Sequence, residues 1–237
     1  MMRDRRVTRE RADFSAYLVV RPEDIGTRTL GELVVPAVKA GFTTVEVRAE
    51  GMEARYVLEM LSIVSREIHA YGKAREIALV VHDRIDVALA AQDYKIKVDG
   101  VHVGQGDLPA KVCRKLLGEE AIVGISAPVT ALTTYLSGAD LRGVDYIIAS
   151  PLHRSAKNPD AHYATSARAT KILNMFDLKS ATEAVDIPIL VGGGVQLRDI
   201  ASLRVAGAKG IVLGSSALES EALEESLERY VTSWQNS

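Results

Sequence analysis

The sequence predicts a single (β/α)8 TIM barrel. Three observations carry that prediction. Short apolar runs alternate with amphipathic stretches from one end of the 237-residue chain to the other, the pattern of parallel strands joined by helices. Eight such runs can be counted, the number a closed barrel needs. The last two runs end in small residues, VGGG at 191–194 and GSS at 214–216, where a barrel of this kind builds a phosphate site from the loops after its last strands. The rival, an open doubly wound sheet, lacks its glycine fingerprint, because the first run is followed by RPEDIGTRT.

The strands are expected at AYLVV (16–20), TVEVRA (44–49), IALVVHD (77–83), GVHVG (100–104), IVGISA (122–127), YIIAS (146–150), PILVGG (188–193) and GIVLGS (210–215). Each is a short apolar run bounded by turn residues. Helical spacing of apolar residues marks stretches such as GELVVPAVKAG, EARYVLEMLSIVSREIHAYG, RIDVALAAQ, LPAKVCRKLLG, LRDIASLRVAG and ALEESLERYVTSW. Seven helices between eight strands, with one more at the end, give the closed alternation. The stretch after strand six, SPLHRSAKNPDAHYATSARAT, is the longest irregular segment, and a long loop at a barrel mouth reads as a substrate lid.

Composition sets the class. Apolar residues make up 47% of the chain and the formal net charge is −2. A large core is available, and nothing attracts nucleic acid or an anionic membrane in general. Every apolar run is of strand length, so no membrane-spanning helix is expected. The opening MMRDRRVTRER has no apolar stretch of its own and is not a signal peptide; residues 1–14 are expected as a flexible tail and 15–237 as one barrel domain. The lone Cys113 excludes an internal disulfide and points to the cytoplasm. The partners to expect are small phosphorylated molecules; a homo-oligomer is compatible with the sequence.

Active-site groups in this fold come from the C-terminal ends of the strands. Strand two offers Glu46, Arg48 and Glu50, which alternation places on one face. A guanidinium inside a barrel needs an anion, either a phosphate or one of the flanking glutamates. Asp83 follows strand three and Asp107 follows strand four, so both could reach one Mg2+; alternatively each caps the helix after it. Ser126 ends strand five. Strand six runs into Ser150, His153, Ser155 and Lys157. Of the five histidines, His102 reads as a hydrogen-bonded interior group, while His82 and His153 stand at strand ends where a ligand could meet them. No strand ends in lysine, which disfavours Schiff-base chemistry.

Taken together these strand ends resemble the thiamine phosphate synthase family. The resemblance runs from AYLVVRPED to the final TSW and is carried by DGVHVGQGDLP (99–109), IVGISA, SPLHRSAKNPD (150–160) and ILVGGGV (189–195). It implies a transferase of thiamine biosynthesis that joins hydroxymethylpyrimidine diphosphate to thiazole phosphate and releases pyrophosphate. It implies Mg2+ as cofactor with Asp83 and Asp107 as its ligands. It makes Arg48 the diphosphate-binding arginine, beside which Lys157 is expected to supply positive charge from the loop, and Ser126 the serine near the pyrimidine and pyrophosphate. It puts Glu46, His82 and Ser155 among the substrate contacts, and Gly193, Gly194, Gly214 and Ser215 at the thiazole phosphate.

The chain also differs from the family's pattern. Where the family reads like QLREK, this chain has EVRAE, which puts Glu46 in place of a glutamine and Glu50 in place of a lysine. His82 replaces an asparagine or aspartate, and Lys157-Asn158 replace Thr-Lys. A glutamate for a lysine changes the charge beside a diphosphate by two. The alternatives this raises are a barrel of the same family that binds a phosphorylated ligand without transfer, and an isomerase like the thiazole tautomerases. The tautomerases use a histidine two residues after the strand-five serine, where this chain has Pro128.

Overall fold

The computed structural model describes residues 6–153 and 173–237. Eight parallel strands close on themselves in chain order: β1 Ala16–Val20, β2 Thr44–Val47, β3 Ala78–His82, β4 Gly100–Val103, β5 Ile122–Pro128, β6 Tyr146–Ser150, β7 Ile189–Val191 and β8 Gly210–Leu213. The helices that return the chain are α2 Leu30–Ala40, α3 Ala54–Ala70, α4 Ile85–Asp93, α5 Ala110–Leu117, α6 Leu132–Gly138, α7 Met175–Ala184 and α8 Ile200–Val205, and α10 Leu223–Gln235 closes the ring against α2. Two four-residue helices, α1 Pro22–Ile25 and α9 Ser215–Leu218, follow β1 and β8 directly.

Local chemistry sets these boundaries. Thr29 accepts from the Glu32 amide while the Glu32 carboxylate accepts from the Thr29 amide, a capping box that starts α2. Gly41, with φ +93°, ends the same helix in the left-handed conformation. Strand β2 stops at Val47 rather than at residue 49 because the chain turns away at Gly51, φ +73°; Arg48 keeps one last bond, its amide donating to Val20 O at 3.0 Å. Strand β7 stops at Val191 because Gly193 and Gly194 both take φ +79° and leave the ladder.

Alternation splits the strand residues between two cores. Outward residues such as Leu18, Val45, Val81 and Ile147 pack under the helices with Leu33, Leu61 and Leu203. Inward residues, among them Tyr17, Val19, Val80, Ile122, Tyr146, Leu190 and Val212, fill the barrel. Fully burying each such side chain contributes roughly 1.5–3 kcal/mol before entropy is counted.

The lower end of the barrel corrects one expectation. Within the predicted flexible tail, Val7 and Phe14 are packed into the barrel. Val7 is 2% exposed and belongs to the inner core together with Phe14. The Val7 amide donates to Asp99 Oδ1 at 3.1 Å, Asp99 is ion-paired with Lys97, and the Phe14 ring lies 4.4 Å from that of Tyr146. The segment plugs the open end of the barrel, and its two apolar side chains are too few to register as an element in the sequence. No helix among the described residues is long and apolar enough to cross a membrane.

Candidate functional site

A cavity of about 500 Å³ lies at the C-terminal ends of the strands. It is lined by Arg48, Ser126, Gly193, Gly194, Gly214 and Ser215, all singled out from the sequence, and also by Glu46, His102 and His153. Ser155 and Lys157 lie outside the described residues, as do Asn158 and most of the loop read as a lid.

The floor of the cavity continues into a chain of polar side chains that crosses the barrel. Ser126 Oγ is 2.9 Å from His102 Nε2, and His102 Nδ1 is 3.2 Å from the Tyr146 hydroxyl. That hydroxyl is 2.8 Å from the Tyr17 hydroxyl, which donates to Glu46 Oε2 at 2.6 Å. Glu46 Oε1 faces His82 Nδ1 at 3.0 Å, and His82 Nε2 is 3.2 Å from Glu50 Oε1. Glu50 in turn accepts from Arg48 Nε at 2.8 Å and Nη2 at 2.5 Å. His102 is thus the hydrogen-bonded interior group its position in β4 predicts. His82 is its cross-strand partner and is engaged by two glutamates, so it stands behind the cavity wall rather than in it.

Charge follows from these contacts. Burial opposes a charge on His82, but Glu46 and Glu50 outweigh it and raise its pKa to about 9. Burial also opposes ionisation of Glu46, and the two imidazoles with the Tyr17 hydroxyl outweigh it, holding the carboxyl below the usual range. The His82 contact and Arg48 lower Glu50 to about 2 despite partial burial. His102 has no such carboxylate contact, so burial dominates and lowers it to about 4. Tyr17 and Tyr146 are pushed well up by burial and stay neutral. These two tyrosines were missed in the sequence, although each is a polar ring at an inward position of its strand.

Arg48 is less enclosed than an interior guanidinium would be. It is 32% exposed, at the rim, and the anion it meets is Glu50. The expected single face of Glu46, Arg48 and Glu50 therefore holds for the first two, while Glu50 stands past the strand and 59% exposed.

Asp83 and Asp107 converge, and neither caps the helix after it. Helices α4 and α5 have no side-chain cap. Asp107 Oδ2 instead accepts from the Gly104 amide at 2.5 Å, closing its own turn. Asp83 sits at φ +59° with its amide bonded to His102 O at 2.8 Å. Burial and then the nearby Asp107 carboxylate raise its pKa, so the two acids are neighbours. Two facing carboxylates that repel are an all-oxygen donor set, which fits a hard divalent cation such as Mg2+.

The phosphate side of the cavity is made by two loops. After β7, Gly192 O accepts from the Leu152 amide at 2.7 Å and Gly193 O from the His153 amide at 2.9 Å. His153 Nε2 is also 2.8 Å from Asp199 Oδ2. The start of the β6 loop is thereby pinned against the glycine turn. After β8, Gly214 leads into α9, whose first amides have no intrahelical partner. Bare glycine backbone on one loop and free amides on the other suit an anion.

Comparison with known proteins places the chain in a family. A family model described as thiamine monophosphate synthase matches residues 16–217. The chain is 33% identical over 204 residues to the thiamine-phosphate synthase of Moorella thermoacetica, covering 85% of this chain and 87% of that one. It is 30% identical over 221 residues to the thiamine-phosphate synthase of Ruminiclostridium cellulolyticum, covering 93% and 95%. Among solved structures, a thiamine phosphate pyrophosphorylase from Pyrococcus furiosus superposes with a TM-score of 0.70 at 20% identity, covering 96% of this chain and 98% of that one. The (S)-3-O-geranylgeranylglyceryl phosphate synthase of Thermoplasma acidophilum shares the fold with a TM-score of 0.58 at 15% identity, covering 96% and 95%. A match across most of the barrel, with relatives of nearly equal length, means that the chain belongs to the thiamine monophosphate synthase family.

Proposed function

We propose that this barrel is a thiamine phosphate synthase: it joins hydroxymethylpyrimidine diphosphate to thiazole phosphate, forming thiamine phosphate and releasing pyrophosphate. The observation that carries the reading is that one cavity gathers Arg48 and Ser126 with the Gly193–Gly194 and Gly214–Ser215 backbone. Two phosphorylated substrates need two anion sites, and a guanidinium and a pair of glycine loops are two kinds of anion-binding group in one cavity.

In this reading the glycine loops hold the thiazole phosphate through backbone N–H groups. Arg48 leaves Glu50 and turns its fork to the diphosphate, where the Ser126 hydroxyl adds a hydrogen bond. Lys157 and Ser155 would join them from the β6 loop. His102, neutral and bonded to Ser126, orients that hydroxyl. The chemistry is the departure of a stable anion, so the protein's task is electrostatic and needs no strong base. Asp83 and Asp107 would hold Mg2+, which when bound supplies positive charge to the leaving diphosphate.

Turnover of the two substrates with and without Mg2+, read as thiamine phosphate formed, tests this. Mg2+-dependent product is expected. One observation favours a second reading, a barrel that binds phosphorylated ligands without transfer: Glu50 occupies the Arg48 fork. Folded protein that binds thiazole phosphate and yields no product would establish that reading instead.

A further inference from the structure

Three members of the interior polar chain have atoms that converge. One potential ligand atom from each of Glu46, His82 and His102 lies within 4.8 Å of the other two, and all three side chains are buried. Glu46 Oε1 and His82 Nδ1 face each other at 3.0 Å in side chains 1% and 7% exposed. Neither atom makes a directed hydrogen bond among the described residues. Buried polar atoms are normally hydrogen-bonded, so a charge contact without hydrogen-bond geometry marks a pair that a shared cation can bridge.

The remaining atom of each side chain is already held. Tyr17 donates to Glu46 Oε2 at 2.6 Å. Glu50 Oε1 is 3.2 Å from His82 Nε2. His102 has a hydroxyl at each ring nitrogen, Tyr146 on Nδ1 and Ser126 on Nε2, so one partner remains whichever nitrogen turns inward. Metal-ligating imidazoles and carboxylates are fixed by outer partners of this kind.

We propose that Glu46, His82 and His102 form a site for one divalent transition-metal ion, of which Zn2+ and Co2+ are the natural probes. Two imidazole nitrogens and one carboxylate oxygen form a borderline donor set that suits such ions. The all-oxygen pair of Asp83 and Asp107 does not. On binding, the ion displaces the proton carried by His82 to solvent and takes the place of the His82–Glu46 ion pair. Glu46 and His102 line the cavity, so an open coordination position would face the substrate. The site is independent of the transferase reading, and its test reads binding rather than turnover.

The full-length protein is titrated with Zn2+ against a chromophoric chelator at saturating Mg2+, which fills the acid pair first. One Zn2+ per chain is expected, with affinity unchanged in Asp107→Asn. Glu50→Gln alters a side chain that is largely exposed and spares the core; losing the negative charge of the outer partner of His82 should weaken Zn2+ by about tenfold or more. His82→Asn should abolish the site. If that variant does not fold, the visible spectrum of the Co2+ form of the unaltered protein decides. Intense bands of a nitrogen-ligated ion of low coordination number support the site, and the faint spectrum of an oxygen-ligated octahedral ion overturns it. Zn2+ affinity unchanged in Glu50→Gln and His82→Asn overturns it as well, as does a stoichiometry of zero.

Discussion

Tyr146 crosses the barrel through the space that Gly124 leaves: a Cβ on Gly124 would lie 2.0 Å from the tyrosine ring. The two residues are register partners on β5 and β6. The ring is fully buried against Phe14 and Tyr17 and cannot swing away. Its hydroxyl links His102 to Tyr17, so the glycine holds the polar chain together without being part of it.

Gly124→Ala should therefore destabilise the protein by about 3 kcal/mol, the upper part of the usual range for overpacking. Chemical denaturation would measure it. Tyr146→Phe keeps the ring and removes only the hydroxyl, so it should cost less, about 1–3 kcal/mol for the partners left unsatisfied. An alanine at 124 that costs under 1 kcal/mol would mean that the ring has room to move.

Much of the fold was legible because the barrel writes itself in alternation. The starts of β1, β2, β4, β5, β6 and β8 coincide with the sequence expectations. The ends of β2 and β7 were less legible, because Arg48-Ala49 continues the alternation and the glycines add no polar side chain after the ladder has stopped. In the site, strand-end position alone led to Arg48, Ser126, Gly193 and Gly214. The Glu46–His82–Glu50 contacts were not legible, since they depend on how far His82 leans across from β3 towards β2. The Asp83–Asp107 pair was legible as a pair, and only the coordinates separate it from two helix caps.

Glu50→Lys should raise affinity for the pyrimidine diphosphate. Glu50 now takes both Nε and Nη2 of Arg48 on one oxygen, and the substrate must break that clamp. The pair is largely exposed, so the clamp opposes binding by about 1 kcal/mol at most, roughly a fivefold change in the dissociation constant. Binding of pyrophosphate, read by calorimetry, gives the same comparison without turnover. Weaker binding in the variant would show that Glu50 is part of the diphosphate site rather than a competitor for it.

Asp107→Asn should abolish the dependence on Mg2+ while leaving the fold in place. The amide oxygen can still accept from the Gly104 amide, so the turn survives. Without its charged neighbour Asp83 loses the repulsion that now raises its pKa, so the metal-free variant should melt no lower than the unaltered protein. Thermal melts with and without Mg2+ read both effects. A variant that keeps a Mg2+-dependent rise in Tm would move the cation away from this pair.

The phosphate loops are best tested at Gly214. Gly193 is the more obvious position, but it has φ +79° and a Cβ there would lie 2.4 Å from Pro151 Cβ, so any substitution confuses lost binding with lost folding. Gly214 has a negative φ, −150°, and a Cβ there would meet only Val19, at 3.6 and 3.8 Å. Gly214→Asp thus places a negative charge on the cavity wall at little cost to packing. Inorganic phosphate at about ten times its dissociation constant should stabilise the unaltered protein by about 1.4 kcal/mol through mass action. In Gly214→Asp that rise in Tm should vanish while the melt in plain buffer stays close to the original. If the rise persists, the anion is bound elsewhere in the cavity, with Arg48 its first candidate, and the two loops after β7 and β8 have another use.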